Sequence, residues 1–166
     1  MTTRTVVTPS MRRGPRRAAG PHRWVAGGLA ITYMRVAPQR YFGIAEVWVD
    51  SETRVPMTDR ERTILDLFVS PTRAVDLGTA MTILEGHSDA LDLGRLVRYA
   101  LDLRVAAVAK RLGWALETIG VPSEFTAPLV AVPVQAVQPL DPSRLARGPI
   151  IARWKLQDNL AAPVRR

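Results

Sequence analysis

Charge is distributed along this chain in a way that divides it before any element is assigned. Residues 1–45 hold eight arginines and no acidic residue, and the first carboxylate is Glu46. From Glu46 onward 15 basic residues stand against 15 acidic ones, so the whole formal net charge of +8 belongs to the first quarter of the 166 residues. Such asymmetry predicts a basic arm attached to a neutral body. With 47% apolar residues the chain can build one core that buries about 70% of its unfolded surface, so a single body is expected. Residues 1–23 combine Pro9, Gly14, Pro15, Gly20 and Pro21 with six arginines. That composition buries too little apolar surface to offset its ordering entropy and is expected to be a disordered tail.

The absence of cysteine removes disulfides, thiolate metal sites and a cysteine nucleophile, and nothing indicates an oxidising compartment. The only histidines, His22 and His87, are far apart and are expected on the surface, leaving little material for a metal site or a histidine relay. No apolar run reaches the roughly 20 residues that span a bilayer. The arginine-rich start lacks the apolar stretch of a secretory signal and the apolar face of a transit peptide. A cytoplasmic protein with no membrane contact and no cofactor or metal is the expectation.

In the body, Leu29–Val36 and residues 41–49 are rich in β-branched and aromatic residues around a turn containing Pro38, which predicts a hairpin. A short edge strand at residues 54–57 comes next, its Pro56 unable to donate to a ladder. Thr58-Asp59-Arg60-Glu61 reads as a capping box: the Thr58 hydroxyl accepts from the Glu61 N–H and the Glu61 carboxylate reaches back to Thr58. The helix it opens must end by Ser70, before Pro71. Arg62 and Asp66, four apart, share one of its faces. A second helix is predicted over residues 77–85, a third from an Asp92 cap to about Leu103, and a fourth over residues 105–119. In the fourth, Val105, Val108, Leu112, Leu116 and Ile119 form one apolar stripe, with Lys110, Arg111 and Glu117 outside it. Gly120 then fits a left-handed helix cap, with Pro122 preventing continuation. Prolines at 128, 133, 139 and 142 interrupt the apolar stretch beyond Glu124; residues 129–134 and 150–156 read as strands, and 160–166 as a tail. The expected fold class is α+β, with a small, mostly antiparallel sheet from the two ends of the chain against about four central helices.

Few residues offer chemistry. None of Ser70, Ser88, Ser123 and Ser143 stands in a G-x-S-x-G frame, and Ala26-Gly27-Gly28-Leu29 precedes a strand where a phosphate loop would come after one. The carboxylate pairs Asp59/Glu61 and Asp89/Asp92 sit at helix starts, where the dipole alone favours acids. No enzymatic activity is expected. The strongest compositional signal is the arm, in which Arg4, Arg12, Arg13, Arg16, Arg17 and Arg23 can track a phosphate backbone without reading bases. Trp24, Trp48, Trp114 and Trp154 are spread over four elements and are expected to pack in or beside the core.

Between Phe42 and Asn159 an ordered series stands out: Val55-Pro56-Met57-Thr58-Asp59-Arg60-Glu61-Arg62-Thr63-Ile64-Leu65-Asp66, then Lys110-Arg111-Leu112-Gly113-Trp114-Ala115-Leu116-Glu117-Thr118-Ile119-Gly120. Pro139-Leu140-Asp141-Pro142, Arg147-Gly148 and Arg153-Trp154-Lys155-Leu156-Gln157-Asp158-Asn159 close it. Over residues 42–159 the chain resembles the carboxy-terminal domain of the AbiEi antitoxin family, and the domain so implied is expected to span residues 24–159. That resemblance implies the antitoxin of a type IV toxin–antitoxin system, a phage-defence device encoded with a nucleotidyltransferase-like toxin. Family members also repress their own operon through an amino-terminal winged helix-turn-helix that binds promoter DNA, and they oppose the toxin without a stable complex. The short stretch before the first strand leaves no room for the winged helix, so the expectation is a truncated or misassigned form that keeps the antitoxicity domain. Arg62, Asp66, Lys110 and Arg111 mark either an interaction surface of the family or an ion pair and a solvated helix face. An accessory protein that binds nucleic acid through the arm is the alternative.

Overall fold

The computed structural model describes residues 3–9, 22–26, 29–69 and 75–162, with side chains from residue 36 onward. The chain divides into two compact units, Met1–Phe42 and Gly43–Arg166. In the first, β1 (Thr3–Pro9), β2 (His22–Ala26) and β3 (Leu29–Val36) form a three-stranded sheet in the order β1-β3-β2. β1 runs parallel to β3, with Thr3 opposite Ala30 and Pro9 opposite Val36, while β2 is antiparallel to it. Composition places Thr3–Pro9 in a disordered tail, and in the structure these residues form β1. Thr3, Thr5, Val6, Val7 and Thr8 are β-branched, and that local preference outweighs the basic context. The arginine-rich residues 10–21 lie outside the described residues.

The hairpin expected between Leu29–Val36 and residues 41–49 does not form. A 3-10 helix at Pro38–Arg40, with the fixed φ of Pro38 in its first turn, occupies the place of the expected turn. In the second unit β4 (Ile44–Trp48) pairs antiparallel with β5 (Arg54–Thr58), from Ile44 opposite Thr58 to Trp48 opposite Arg54. Their turn is held by Asp50, whose Oδ1 accepts from the Glu52 and Thr53 amides at 2.9 and 2.7 Å. Five helices come next among the described residues: α1 (Arg60–Val69), α2 (Leu77–His87), α3 (Leu93–Asp102), α4 (Ala106–Thr118) and α5 (Ser123–Ala131). A final small sheet joins β6 (Gln138–Pro139), β7 (Ile150–Ile151) and β8 (Leu156–Gln157) in the order β6-β8-β7. The fold is α+β as expected, but its strands fall into three separate sheets.

The core of the second unit is built from the apolar faces of all five helices, with Leu65, Phe68, Leu84, Leu96, Leu112, Leu116 and Leu129 fully buried. Leu140, Trp154 and Leu156 close it from the carboxy-terminal side. The predicted strand at residues 129–134 is the clearest misreading: Leu129 lies in α5, which carries Pro128 inside it. Proline removes one helical hydrogen bond there. Burial of Thr126 and Leu129 on one face of the same helix offsets that loss.

α4 is the central helix, and its end shows how the sequence stops it. Gly120 adopts φ +85°, its N–H donates to the Glu117 carbonyl at 3.1 Å, and the Val121 N–H reaches back to the Leu116 carbonyl at 2.9 Å. That is a Schellman cap, which satisfies carbonyls left open at the helix end. Gly113, in the middle of α4, serves a different purpose, because a Cβ there would lie 2.2 Å from Cζ3 of the Trp154 ring. The last strand region is bent by a 3-10 turn at Ala152–Trp154 and a left-handed Lys155, and this bend drives the indole onto the helix. Gly113→Ala is expected to lower stability by about 1–3 kcal/mol through overpacking, despite the better helix propensity of alanine. Gly120→Ala is expected to cost about 1–2 kcal/mol through the left-handed backbone alone. Urea denaturation of both variants measures the difference, and a Gly113→Ala protein as stable as the parent would contradict the packing described.

Candidate functional site

The residues that carry the sequence series gather into two joints. The first binds the starts of α1 and α3. Asp59, not Thr58, caps α1: its Oδ1 accepts from the Arg62 N–H at 2.7 Å, and its Oδ2 accepts from the Tyr99 hydroxyl at 2.8 Å. The expected capping box is therefore corrected by one residue. Thr58 hydrogen-bonds the Thr63 hydroxyl at 2.8 Å, and Glu61 turns away from its own helix end. The Glu61 Oε1 accepts from the Asp92 N–H at 2.9 Å, and its Oε2 lies 3.6 Å from Arg95, which also pairs with Asp92. A carboxylate 5% exposed thus bridges two helix starts, satisfied at both oxygens.

Arg62 and Asp66 pair at 3.0 Å as expected for i,i+4 neighbours, and Arg62 is buried. Burial raises the Asp66 pKa above the ordinary carboxylate value by more than the Arg62 charge and hydrogen bond lower it. The Tyr99 hydroxyl is also held above its usual pKa, first by its hydrogen bond to Asp59.

The second joint ties α4 to the end of the chain. Trp154, 1% exposed, rests on Gly113, and its indole N–H donates to Glu117 Oε2; Arg153 Nε donates to the same oxygen at 3.2 Å. Lys110 and Arg111, expected on the solvated face of α4, are buried at 3% and 6% exposure, which corrects that expectation. α4 is covered on more than its apolar stripe because α5 and the final sheet pack on its other sides. Lys110 Nζ donates to the Val130 carbonyl at 2.5 Å, near the end of α5, and Arg111 Nε donates to the Pro139 carbonyl at 3.3 Å. Burial lowers the pKa of both, for Lys110 with the charge of Lys155 adding to it and for Arg111 with that of Asp141 opposing it.

Asn159, fully buried, knits the joint shut. Its Oδ1 accepts from the Asp141 N–H at 2.8 Å, while its Nδ2 donates to the carbonyls of Asp141 and Leu145 at 2.8 and 3.1 Å. The Asp141 carboxylate in turn takes the Ser143 N–H at 2.8 Å and Arg144 at 3.3 Å. Within the tail predicted at residues 160–166, Ala162 is buried and its carbonyl accepts from Arg144 at 2.9 Å, and residues 163–166 lie outside the described residues. Sequence reasoning missed Tyr99, Arg95, Asp141 and Arg144 as members of these joints. Asp141 alone had a signal, its place in Pro139-Leu140-Asp141-Pro142.

Nothing in either joint leaves a reactive side chain free of a structural duty. Leu112 fills the core and Gly120 ends α4. No group of three or more metal-ligating side chains occurs among the described residues, nor any helix long and apolar enough to cross a membrane. His87 is exposed, its Nδ1 at 2.9 Å from the Ile83 carbonyl. Trp48, expected to pack, is instead 54% exposed and stacked under Arg54, whose guanidinium carbon lies 3.9 Å from the ring centroid. Of the arm residues, Arg4 and Arg23 occupy β1 and β2, and Arg12, Arg13, Arg16 and Arg17 lie outside the described residues.

Because the folded state holds the Asp66 proton more tightly than the unfolded chain, stability contributed by the protonated form is present below the ordinary value of 3.8. It is lost as pH rises through the raised pKa. Asp66→Asn, which keeps an acceptor for Arg62, is expected to lack that decline. Unfolding free energies of the two proteins across the acid range measure the difference, and parallel profiles would contradict the assignment. No protein-family model, curated protein or solved structure matches the chain.

Proposed function

We propose that this chain is an antitoxin of the AbiEi type, supplying the antitoxicity domain of a type IV toxin–antitoxin system and taking part in control of its own operon. The observation that carries the reading is the meeting of segments distant in sequence. Lys110, Gly113 and Glu117 of the second motif face Trp154 of the last one, and Asn159 holds the Asp141 segment between them. An ordered series of weak motifs gains weight when its members are the mutual packing partners of one body, since each then constrains the others. The proposed role needs no catalytic residue on this chain. Its functional partner is a nucleotidyltransferase-like toxin, with no lasting complex between the two, and its DNA target is the operon promoter.

Growth of cells co-expressing the full chain with the nucleotidyltransferase-like toxin encoded beside it tests this reading. Rescue is expected from the parent, and Trp154→Ala is expected to lose rescue in step with its falling folded fraction. A neighbouring toxin gene whose product kills equally with and without the chain would overturn it.

A second reading, a nucleic-acid-binding accessory protein, is favoured by one observation: the whole net charge of +8 lies in residues 1–45. Replacing Arg12, Arg13, Arg16 and Arg17 with glutamine is expected to reduce the dependence of log K for duplex DNA on log salt by roughly 0.9 for each phosphate that is no longer neutralised. An unchanged slope would remove the arm from DNA binding.

A further inference from the structure

The two joints leave one cleft of the second unit unaccounted for. It has a volume of about 250 Å³ and lies between the end of α3, the start of α4 and the residues after α5, lined by Leu101, Ala106, Ala109, Val132 and Pro133, with Arg104 among them. Arg104 stands out on two counts. Its backbone is left-handed, at φ +54°, a helix-end position that glycine occupies without steric cost and that strains an arginine. Its guanidinium is exposed and has no ion pair or hydrogen bond among the described residues.

The segment after α5 collects further positive charge. Lys110 Nζ binds the Val130 carbonyl at 2.5 Å and Lys155 Nζ the Val134 carbonyl at 3.3 Å, and neither ammonium has a carboxylate partner among the described residues. Lys155 is the other left-handed residue that is not glycine among the described residues. The two lysines thus hold the backbone on either side of Val132 and Pro133, which line the cleft. An apolar recess bordered by an unpaired guanidinium is complementary to a molecule with a greasy body and one negative end.

We propose that this cleft binds a small amphiphilic anion, its apolar tail against Ala106, Ala109, Val132 and Pro133 and its carboxylate or phosphate head on Arg104. This site is independent of the antitoxin reading and lies outside the basic arm.

Titrating the full chain with octanoate, octyl phosphate and octanol, monitored by amide chemical shifts, tests the proposal. At least one of the two anions is expected to shift resonances of residues 100–109 and 130–134, and the tighter of the two identifies the head group. Octanol is expected to bind about tenfold more weakly or less, because it cannot make a charge-assisted hydrogen bond. Arg104→Gly suits the left-handed backbone, so its melting temperature is expected to match or exceed that of the parent, while its anion affinity drops about tenfold. Equal binding of octanol and the anions, unchanged anion affinity in Arg104→Gly, shifts confined to other regions, or no binding of either anion would each overturn it.

Discussion

The indole of Trp154 lying on the bare backbone of Gly113 is the contact on which the second unit depends. Removing an indole from water withdraws roughly 200 Å² of surface, about 5 kcal/mol at 25 cal/mol per Å². That gain is open only where α4 presents no side chain. It also requires the chain after Ile151 to turn sharply, through the 3-10 helix and left-handed Lys155, so that the ring points inward. Glu117, one turn along α4, accepts the indole N–H that burial would otherwise leave without a partner. One helix position, one aromatic ring and one carboxylate thereby fix the closing sheet against the helical core.

Around this contact the unit buries an unusual set of polar groups, and each is answered locally. Glu61, Arg62, Lys110, Arg111, Asp141 and Asn159 are all buried, and no buried side-chain nitrogen or oxygen lacks a hydrogen-bond partner among the described residues. Buried charges contribute little net stability, since desolvation cancels much of the attraction, but breaking one partner leaves the other stranded. Their effect is selectivity of arrangement: only the observed docking of α1 on α3, and of α4 on the final loops, satisfies them all. The residues that carry the family resemblance therefore hold the scaffold, and among the described residues the Trp48–Arg54 hairpin and the cleft at Arg104 are two of the exposed features open to contact with other molecules.

Local signals in the sequence are reliable where the determining interaction lies within a few residues. The α3 cap at Asp92, the left-handed stop at Gly120 and the Arg62–Asp66 pair all arise from neighbours three or four positions apart. The α1 cap is displaced by one residue because Asp59 and Thr58 are both good caps, and the choice is made by Tyr99 and Asp92, 40 and 31 positions away from their partners. α5 reads as a strand because Pro128 and the β-branched residues near it argue against a helix, whereas the buried face formed by Thr126 and Leu129 favours one. Periodicity puts Lys110 and Arg111 in solvent because it identifies the most apolar face of a helix, not how many faces its neighbours cover.

Taken alone, the amino-acid order determined the α+β class, the helical middle, the positions of most helix ends and the confinement of net charge to the first 45 residues, because propensity, capping and charge balance are short-range or additive quantities. Tertiary structure decided which strands pair, how many faces of α4 are buried, and that Gly113, Glu117, Trp154, Asp141 and Asn159 form one joint. Those outcomes depend on contacts between segments tens of residues apart, whose free energy exists only once the chain has brought them together.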